Sequence, residues 1–420
     1  MKHLLLLAIK SAWNRRFALS LTLMAIVLSV TMLLGVERLR TQAHQSFSHS
    51  IAGTDLVVGA RTSQVQLMLY AVFRIGEATN NMTWDSYQEI VNNPLVAWSI
   101  PISLGDSHHG FPVLGTTTSY FKHFHYGDAQ ALTFLQGKSF KDTFDTVLGS
   151  EVAAQRGYKM RDHITLSHGM GVLGLPEHAN KPFTVVGILS HTGTPVDRTV
   201  HISLEAINAI HLDWVGGAPM PGFSIPAQYV KKFDLAPKEI TAALVGLKNR
   251  AAVFKVQRDV NNYAKEPLLG VMPGVALEQL WQVVNIAEKS LMAVSAMVVV
   301  IGLSGLVAVV LASLNERRRE LAILRSVGAK PRDLFMLLTI EGLFVTVSGI
   351  VFGVALLSIL TIFLSPITQS RYGIALQASS ISLDELKLLA SLLGVGLLAS
   401  LVPGYRAYKL ALLDGLTPRI

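Results

Sequence analysis

The feature that most constrains the fold is a pair of apolar runs joined by a short basic loop. The first run covers 291–314 and the second begins at Leu334, and each is long enough to cross a bilayer, which takes about 20 apolar residues in a helix. The loop between them, 315–333, is rich in arginine, and positive charge in short loops marks the cytoplasmic side of a membrane. The chain is therefore expected to leave and re-enter a membrane through a compact cytoplasmic loop.

Two further apolar runs complete a topology of four spans with one large insert. Lysine and arginine cluster beside the spans at the N-terminus, in the 315–333 loop and in the C-terminal tail, so both termini are predicted to be cytoplasmic. The predicted segments are a cytoplasmic N-terminus 1–16, a first span 17–36, an outside domain 37–288, a second span 289–314, the cytoplasmic loop 315–333, a third span 334–364, an outside loop 365–385, a fourth span 386–408 and a cytoplasmic tail 409–420.

The basic character of the chain has a membrane explanation. The isoelectric point is near 9.5, which by itself could indicate nucleic-acid binding. Because so many of the basic residues lie beside apolar spans, we interpret them as topology charges and expect no nucleic-acid partner. The chain has no cysteine, which excludes disulfides and thiolate metal sites.

The insert has the pattern of a mixed α/β domain. Thr83 and Ser203 are placed to cap helices that follow them, and Gly157 to end one that begins near Leu148. Segments such as 183–189 are rich in β-branched residues and predict strands. The predicted fold class is an α-helical membrane protein of four transmembrane helices, with a large mixed α/β periplasmic domain inserted between helices 1 and 2.

The cytoplasmic loop has the pattern of a helix, a glycine and a second helix. Asn315 is a candidate N-cap for a helix running to about Val327, Gly328 suits the left-handed residue that ends it, and Pro331 suits the first turn of the next. One interpretation is an amphipathic helix on anionic lipid. The acidic residues and the sharp turn favour docking of a protein partner.

These segments closely resemble the ABC permeases of the MacB/FtsX/LolC type. The resemblance is strongest at 316–329, ERRRELAILRSVGA, and at 402–416, VPGYRAYKLALLDGL, while 148–154 and 183–189 resemble the periplasmic core domain of that family. It implies a permease subunit in a bacterial inner membrane, whose cytoplasmic loop is a coupling helix that contacts a separate ABC ATPase. The implied coupling residues are Glu316, Arg317, Glu320, Leu321, Leu324, Arg325, Val327 and Gly328.

The resemblance also implies the other members of the assembly. The chain lacks the G-x-x-x-x-G-K-[ST] pattern of an ATP-binding loop, so we expect no ATPase site in the chain, no directly bound cofactor, and ATP and Mg on the partner. A second permease chain, identical or different, would complete the dimer, with membrane lipids and a periplasmic adaptor or substrate protein as further partners. Motion of the periplasmic domain would export or extract an amphipathic substrate. Alternatively, the chain would be a mechanotransmitting regulator of a periplasmic enzyme.

Histidine is unevenly distributed along the chain. All histidines except His3 lie between His44 and His211, and imidazole is a common metal ligand. The spacings match no zinc signature, so ordinary surface histidines are one interpretation. The other is a zinc site, and with it a metal-linked transport component, with His108, His109, His123 and His125 as candidate ligands. No order of serine, histidine and aspartate indicates a hydrolase, and no catalytic residue is expected.

Overall fold

A computed structural model describes residues 16–48, 50–169, 178–215, 218–220, 222–316, 323, 325–326, 328–372 and 381–413. They form two compact units. The membrane unit takes its described residues from Met1–Gln42, Asn285–Ile367 and Leu376–Ile420, and the α/β unit takes its own from Ala43–Val284 and Thr368–Ala375.

Long helices build the membrane unit and short helices accompany the strands of the α/β unit. The α-helices are α1 (Arg16–Ser48), α2 (Gln64–Ala71), α3 (Trp84–Val91), α4 (Ser119–His123), α5 (Ser150–Arg156), α6 (Leu204–His211), α7 (Val253–Asn261), α8 (Pro273–Glu316), α9 (Pro331–Tyr372) and α10 (Leu383–Leu413). Short 3₁₀ helices cover Pro195–Arg198, Ala227–Lys232 and Arg250–Ala252.

The strands are short and belong to the α/β unit. They are β1 (Leu56–Ala60), β2 (Met82–Thr83), β3 (Val96–Ile102), β4 (Asp106–His108), β5 (Phe111–Thr116), β6 (His125–Tyr126), β7 (Gln130–Ala131), β8 (Phe134–Gly137), β9 (Asp145–Leu148), β10 (His163–Ile164), β11 (Ser167–His168), β12 (Phe183–Leu189), β13 (Val200–Ser203), β14 (Trp214–Val215), β15 (Ala218–Pro219), β16 (Glu239–Ile240), β17 (Ala242–Leu247) and β18 (Leu268–Val271).

Two main sheets organise these strands. The first has the order β18-β1-β17-β3 and is antiparallel throughout. The second has the order β10-β12-β9-β13-β5-β4-β11, with β8 also paired to β12. Within it β9 and β12 run parallel, as do β5 and β13. The insert is thus the mixed α/β domain that the sequence predicts.

The first sheet is covered on both faces. Val57 packs into one buried cluster and its neighbours Leu56 and Val58 into another, as expected where successive strand residues point to opposite faces. This explains why β1 is apolar along its whole length, with no polar alternation.

Local helix signals in the α/β unit are confirmed. The Thr83 side chain accepts from the backbone N–H of Ser86, and that of Ser203 from Ala206. Gly157 ends α5 in the left-handed conformation, at a φ of 72°. The helix nevertheless begins at Ser150, because Leu148 is a buried residue of β9 paired with β12 and β13.

Four helices among the described residues are long and apolar enough to span a membrane. The candidate spans within them are Leu19–Gln42, Pro273–Ala312, Pro331–Ser365 and Leu383–Lys409. Helix α8 passes through Asn315 to Glu316, so the prediction that Asn315 caps a new helix is wrong. The helix formed by the apolar run ahead of Asn315 includes this residue, at the small cost of an asparagine in a helix.

Glycines bring α9 close to its neighbours in the membrane unit. A Cβ atom on Gly353 would lie 2.7 Å from the Cβ of Val30, and one on Gly349 would lie 2.5 Å from Cγ2 of Ile26. Thr31 donates its hydroxyl to the backbone carbonyl of Gly353 at 3.1 Å. Small residues at the contact allow helix backbones to approach closely in membranes, so α1 and α9 are packed nearly backbone to backbone.

Candidate functional site

The loop between α8 and α9 keeps the predicted helix ends where the structure describes it. Gly328 has a φ of 99°, and its N–H donates to the carbonyl of Arg325 at 2.9 Å. Helix α9 begins at Pro331, and the carboxylate of Asp333 accepts from the N–H of Lys330 at 2.8 Å, which is half of a capping box. The glycine end and proline start are therefore confirmed.

The other candidate coupling residues are described only in part. Glu316 ends α8. Arg317, Glu320, Leu321, Leu324 and Val327 lie outside the described residues.

A buried ion pair that the sequence analysis missed joins α1 to α10. Nε of Arg38 lies 2.6 Å from Oε1 of Glu385, and both side chains are buried. Glu385 also accepts from the N–H of Ser382, whose hydroxyl accepts from the N–H of Glu385. This capping box follows the Ser-x-x-Glu pattern, so the sequence held the signal for the helix start but not for the arginine partner.

Of the four predicted histidine ligands, His108 has both ring nitrogens within hydrogen-bond distance of other protein groups. It is buried in β4, its Nδ1 lies 2.6 Å from the carbonyl oxygen of Thr165, and its Nε2 lies 2.9 Å from the hydroxyl of Tyr158. His109 packs edge-on against it, with ring centroids 4.5 Å apart. Burial lowers the pKa of His108 to about 4.

His123 is the last residue of α4, and His125 begins β6. His123 stacks on Trp98 with ring centroids 5.3 Å apart, and Nδ1 of His125 contacts the backbone carbonyl of His123 at 2.8 Å. Among the described residues, two groups have the geometry to hold a metal ion, and neither contains any of the four predicted ligands.

Instead, imidazoles converge on Asp106. The group comprises Asp106, His168, His178 and His211, which we call the histidine cluster, and its possible ligand atoms all lie within 4.8 Å of one another. Asp106 begins β4 and is the direct antiparallel partner of His168 in β11. His211 is the last residue of α6. Strand pairing and a helix end thus bring together residues that are far apart in sequence.

One oxygen of Asp106 is the common neighbour of the three rings. Oδ1 lies 3.2 Å from Nδ1 of His168, 3.5 Å from Nε2 of His211 and 3.9 Å from Nε2 of His178. Burial raises the pKa of Asp106, but the hydrogen bonds and charges of the histidines outweigh it and hold the pKa at about 2. The carboxylate is therefore ionised at neutral pH.

The histidines differ in their surroundings. Burial lowers the pKa of His178 to about 4, whereas the hydrogen bond with Asp106 raises the pKa of His168. Trp214 of β14 packs against all three rings, with centroids 4.2 Å from His178, 5.4 Å from His168 and 5.8 Å from His211. The indole supplies an apolar wall beside the polar atoms.

A second buried pair fixes the segments that carry His178, His211 and Trp214. Lys181 is fully buried, and its ammonium donates to the Asp213 carboxylate and to the carbonyl of Ile210. Asp213 also accepts from the N–H of Ile225. The histidine cluster is thus built on anchored backbone.

Comparison with known proteins agrees with the resemblance seen in the sequence. The model of the MacB-like periplasmic core domain matches residues 19–263, and that of the FtsX-like permease C-terminal domain matches residues 292–412. No curated protein matches the chain at a significant level.

Solved structures with similarity to the chain include two extracytoplasmic domains. One is the periplasmic region of MacB from Actinobacillus actinomycetemcomitans, at 11% identity over 55% of this chain and 94% of that one, with a TM-score of 0.33. The other is the extracellular domain of the noncanonic ABC-type transporter YknZ from Gram-positive bacteria, at 12% identity over 52% and 99%, with a TM-score of 0.29.

The two family models match successive parts of the chain. The core-domain model spans most of α1 and most of the α/β unit, and the permease model spans most of α8, all of α9 and nearly all of α10. The first model alone covers more than half of the sequence. The chain is therefore a multi-pass membrane protein with a periplasmic domain, and it belongs to the MacB/FtsX family of ABC transporter permeases.

Proposed function

We propose that this permease couples ATP hydrolysis by a separate ATPase subunit to motion of its periplasmic domain, and that the motion exports or extracts an amphipathic substrate. The observation that carries the proposal is the turn at Gly328, between the two apolar helices α8 and α9. The turn lies on the side of the membrane to which the arginines assign the cytoplasm. It is therefore where an ATPase carrying ATP and Mg would bind.

Two long helices are the proposed route from that turn to the periplasmic domain. Helix α8 is continuous from Pro273 to Glu316, and α1 from Arg16 to Ser48. His44 of α1 stacks on Trp281 of α8, with ring centroids 4.5 Å apart. We assign these helix ends to a stalk that moves as one body when a partner pushes on the loop. A second permease chain would complete the transporter.

The experiment compares two glycine variants of the tagged permease, purified from host membranes and reconstituted in nanodiscs. Gly328→Pro requires a φ near −65° where the chain has 99°. Gly305→Ala is the matched control, because a Cβ there meets nothing within 4 Å. We expect Gly328→Pro to lose the co-purifying ATPase and its Mg-ATP hydrolysis, while Gly305→Ala keeps both. Full ATPase binding and activity in Gly328→Pro would reject this docking site.

A further inference from the structure

We infer that Asp106, His168, His178 and His211 form a zinc-binding site in the periplasmic domain. The inference rests on the geometry of these residues and not on the proposed coupling to an ATPase. It applies to the permease on its own, so its failure leaves the proposed transport function untouched.

The distances between the ligand atoms fit a single small cation. Zinc bound tetrahedrally, with bonds of about 2.0–2.1 Å, places its ligand atoms about 3.3–3.4 Å apart. Nδ1 of His168 lies 3.1 Å from Nε2 of His211 and 3.2 Å from Oδ1 of Asp106. The contacts of Asp106 with His211 and His178, at 3.5 and 3.9 Å, are slightly longer. Small shifts of side chains close the tetrahedron.

The protonation of His211 directs a lone pair into the cluster. Its Nδ1 lies 2.8 Å from the carbonyl oxygen of Ile207, so Nδ1 carries the proton and donates it. In the neutral ring, Nε2 is then unprotonated, and it is Nε2 that faces Asp106 and His168. Metal-bound histidines usually donate their other ring N–H to a carbonyl or carboxylate in this way.

Hydrogen bonds among the four residues leave some of their ring nitrogens without a partner among the described residues. His178 is completely buried, and neither of its ring nitrogens has a hydrogen-bond partner among the described residues. Nδ1 of His168 is close to two acceptors, Asp106 and His211, but a neutral ring offers one proton there. An unsatisfied buried polar group costs about 1–3 kcal/mol. A cation at the centre would satisfy the facing atoms together.

The donor set selects zinc. Three imidazoles and a carboxylate form a common type of zinc site, and a chain without cysteine offers no thiolate for soft cations such as Cu(I). The second possible metal group, Glu151, His191 and Asp197, is weaker because both oxygens of Asp197 already accept backbone N–H groups of Thr192 and Gly193. That aspartate organises a turn.

The test measures zinc binding by the purified full-length permease in detergent, after removal of metals with a chelator. Titration with ZnCl₂ should give one zinc per chain and a higher melting temperature, since a ligand that binds the folded state stabilises it. Two variants report on the cluster. His168→Ala changes a side chain that is about one-third exposed, and Asp106→Asn keeps the shape of the buried carboxylate. Both should weaken binding by more than the roughly tenfold loss typical of an outer-shell substitution.

Two other histidine variants serve as controls. His163→Ala removes an exposed imidazole outside the cluster, and His191→Ala disables the second possible group. Both should bind zinc as the wild type does. The inference is overturned if the wild type binds no stoichiometric zinc, or if His168→Ala and Asp106→Asn retain wild-type affinity. Metal-free melting of each variant checks that it remains folded.

Discussion

Arg38 of α1 and Glu385 of α10 form an ion pair of 2.6 Å between two helices of the membrane unit, with both side chains almost inaccessible. A buried pair of this kind adds little net stability compared with apolar residues of similar size, but loss of one partner leaves an uncompensated charge.

We therefore expect Arg38→Met alone to destabilise the protein by about 3 kcal/mol or more, and Arg38→Met combined with Glu385→Met to recover most of that loss. Thermal unfolding of the full-length variants in one detergent provides the measurement. Glu385→Met is measured as the second single variant. If the destabilisation of the double variant equals the sum of the destabilisations of Arg38→Met and Glu385→Met, the two residues are not energetically coupled.

The contact between α9 and α1 gives a second prediction. Gly353→Ala would place a Cβ atom 2.7 Å from Val30, and overpacking of this kind costs about 1–3 kcal/mol. Gly394→Ala in α10 is the control, because a Cβ there meets nothing within 4 Å and alanine favours helix over glycine by up to about 1 kcal/mol. The first variant should melt below the wild type, and the second at or above it. Equal melting of the two would contradict the close contact.

Membrane topology is a third prediction. Reporter fusions after residues 50, 280 and 375 should read as periplasmic, and fusions after 325 or at the C-terminus as cytoplasmic, because lysine and arginine concentrate on the cytoplasmic side. Alkaline phosphatase and green fluorescent protein report the two sides independently. A cytoplasmic reading at 280 is incompatible with the four-span arrangement.

Stability should also depend on pH through His201 of β13. Burial, with the charge of Arg74, lowers the pKa of His201 to about 3, against about 6.5 in an unfolded chain. Between these values the unfolded state holds the extra proton, so the stabilising effect is complete above pH 6.5 and is lost as the pH falls towards 3.

His201→Leu should accordingly reduce the pH dependence of unfolding by about 1.4 kcal/mol per pH unit between pH 6 and 4. A chelator in every sample removes any contribution from metal. An unchanged slope in His201→Leu would mean that this ring is not held neutral.

Elements defined by neighbouring residues were predictable from sequence. The caps Thr83 and Ser203, the terminator Gly157 and the turn at Gly328 each depend on contacts within a few residues. The spans follow from the length of apolar runs and the position of basic residues. The predicted start of a helix near Leu148 was wrong because contacts with residues distant in sequence decide it. The strands β12 and β13 pair with Leu148 and hold it outside the helix that follows.

The histidine cluster was predictable only as a surplus of histidine. The pairs at 108–109 and 123–125 attracted attention because they are close in sequence. The convergent residues are brought together by the pairing of β4 with β11 and by the end of α6. Asp106 carries no sequence signal, since one carboxylate in a loop-rich segment is ordinary, and its role appears only once strand register is known.

The spread of the histidine cluster along the chain gives it a further consequence. His168 lies 62 residues from Asp106 and 43 from His211 in sequence. A zinc ion held by all of them would cross-link distant parts of a chain that has no cysteine to do so. Closing a loop of that size in the denatured chain removes conformational entropy worth about 4 kcal/mol in the case of a disulfide. The metal would then act as a reversible cross-link, which forms or is lost with the zinc supply outside the cytoplasm.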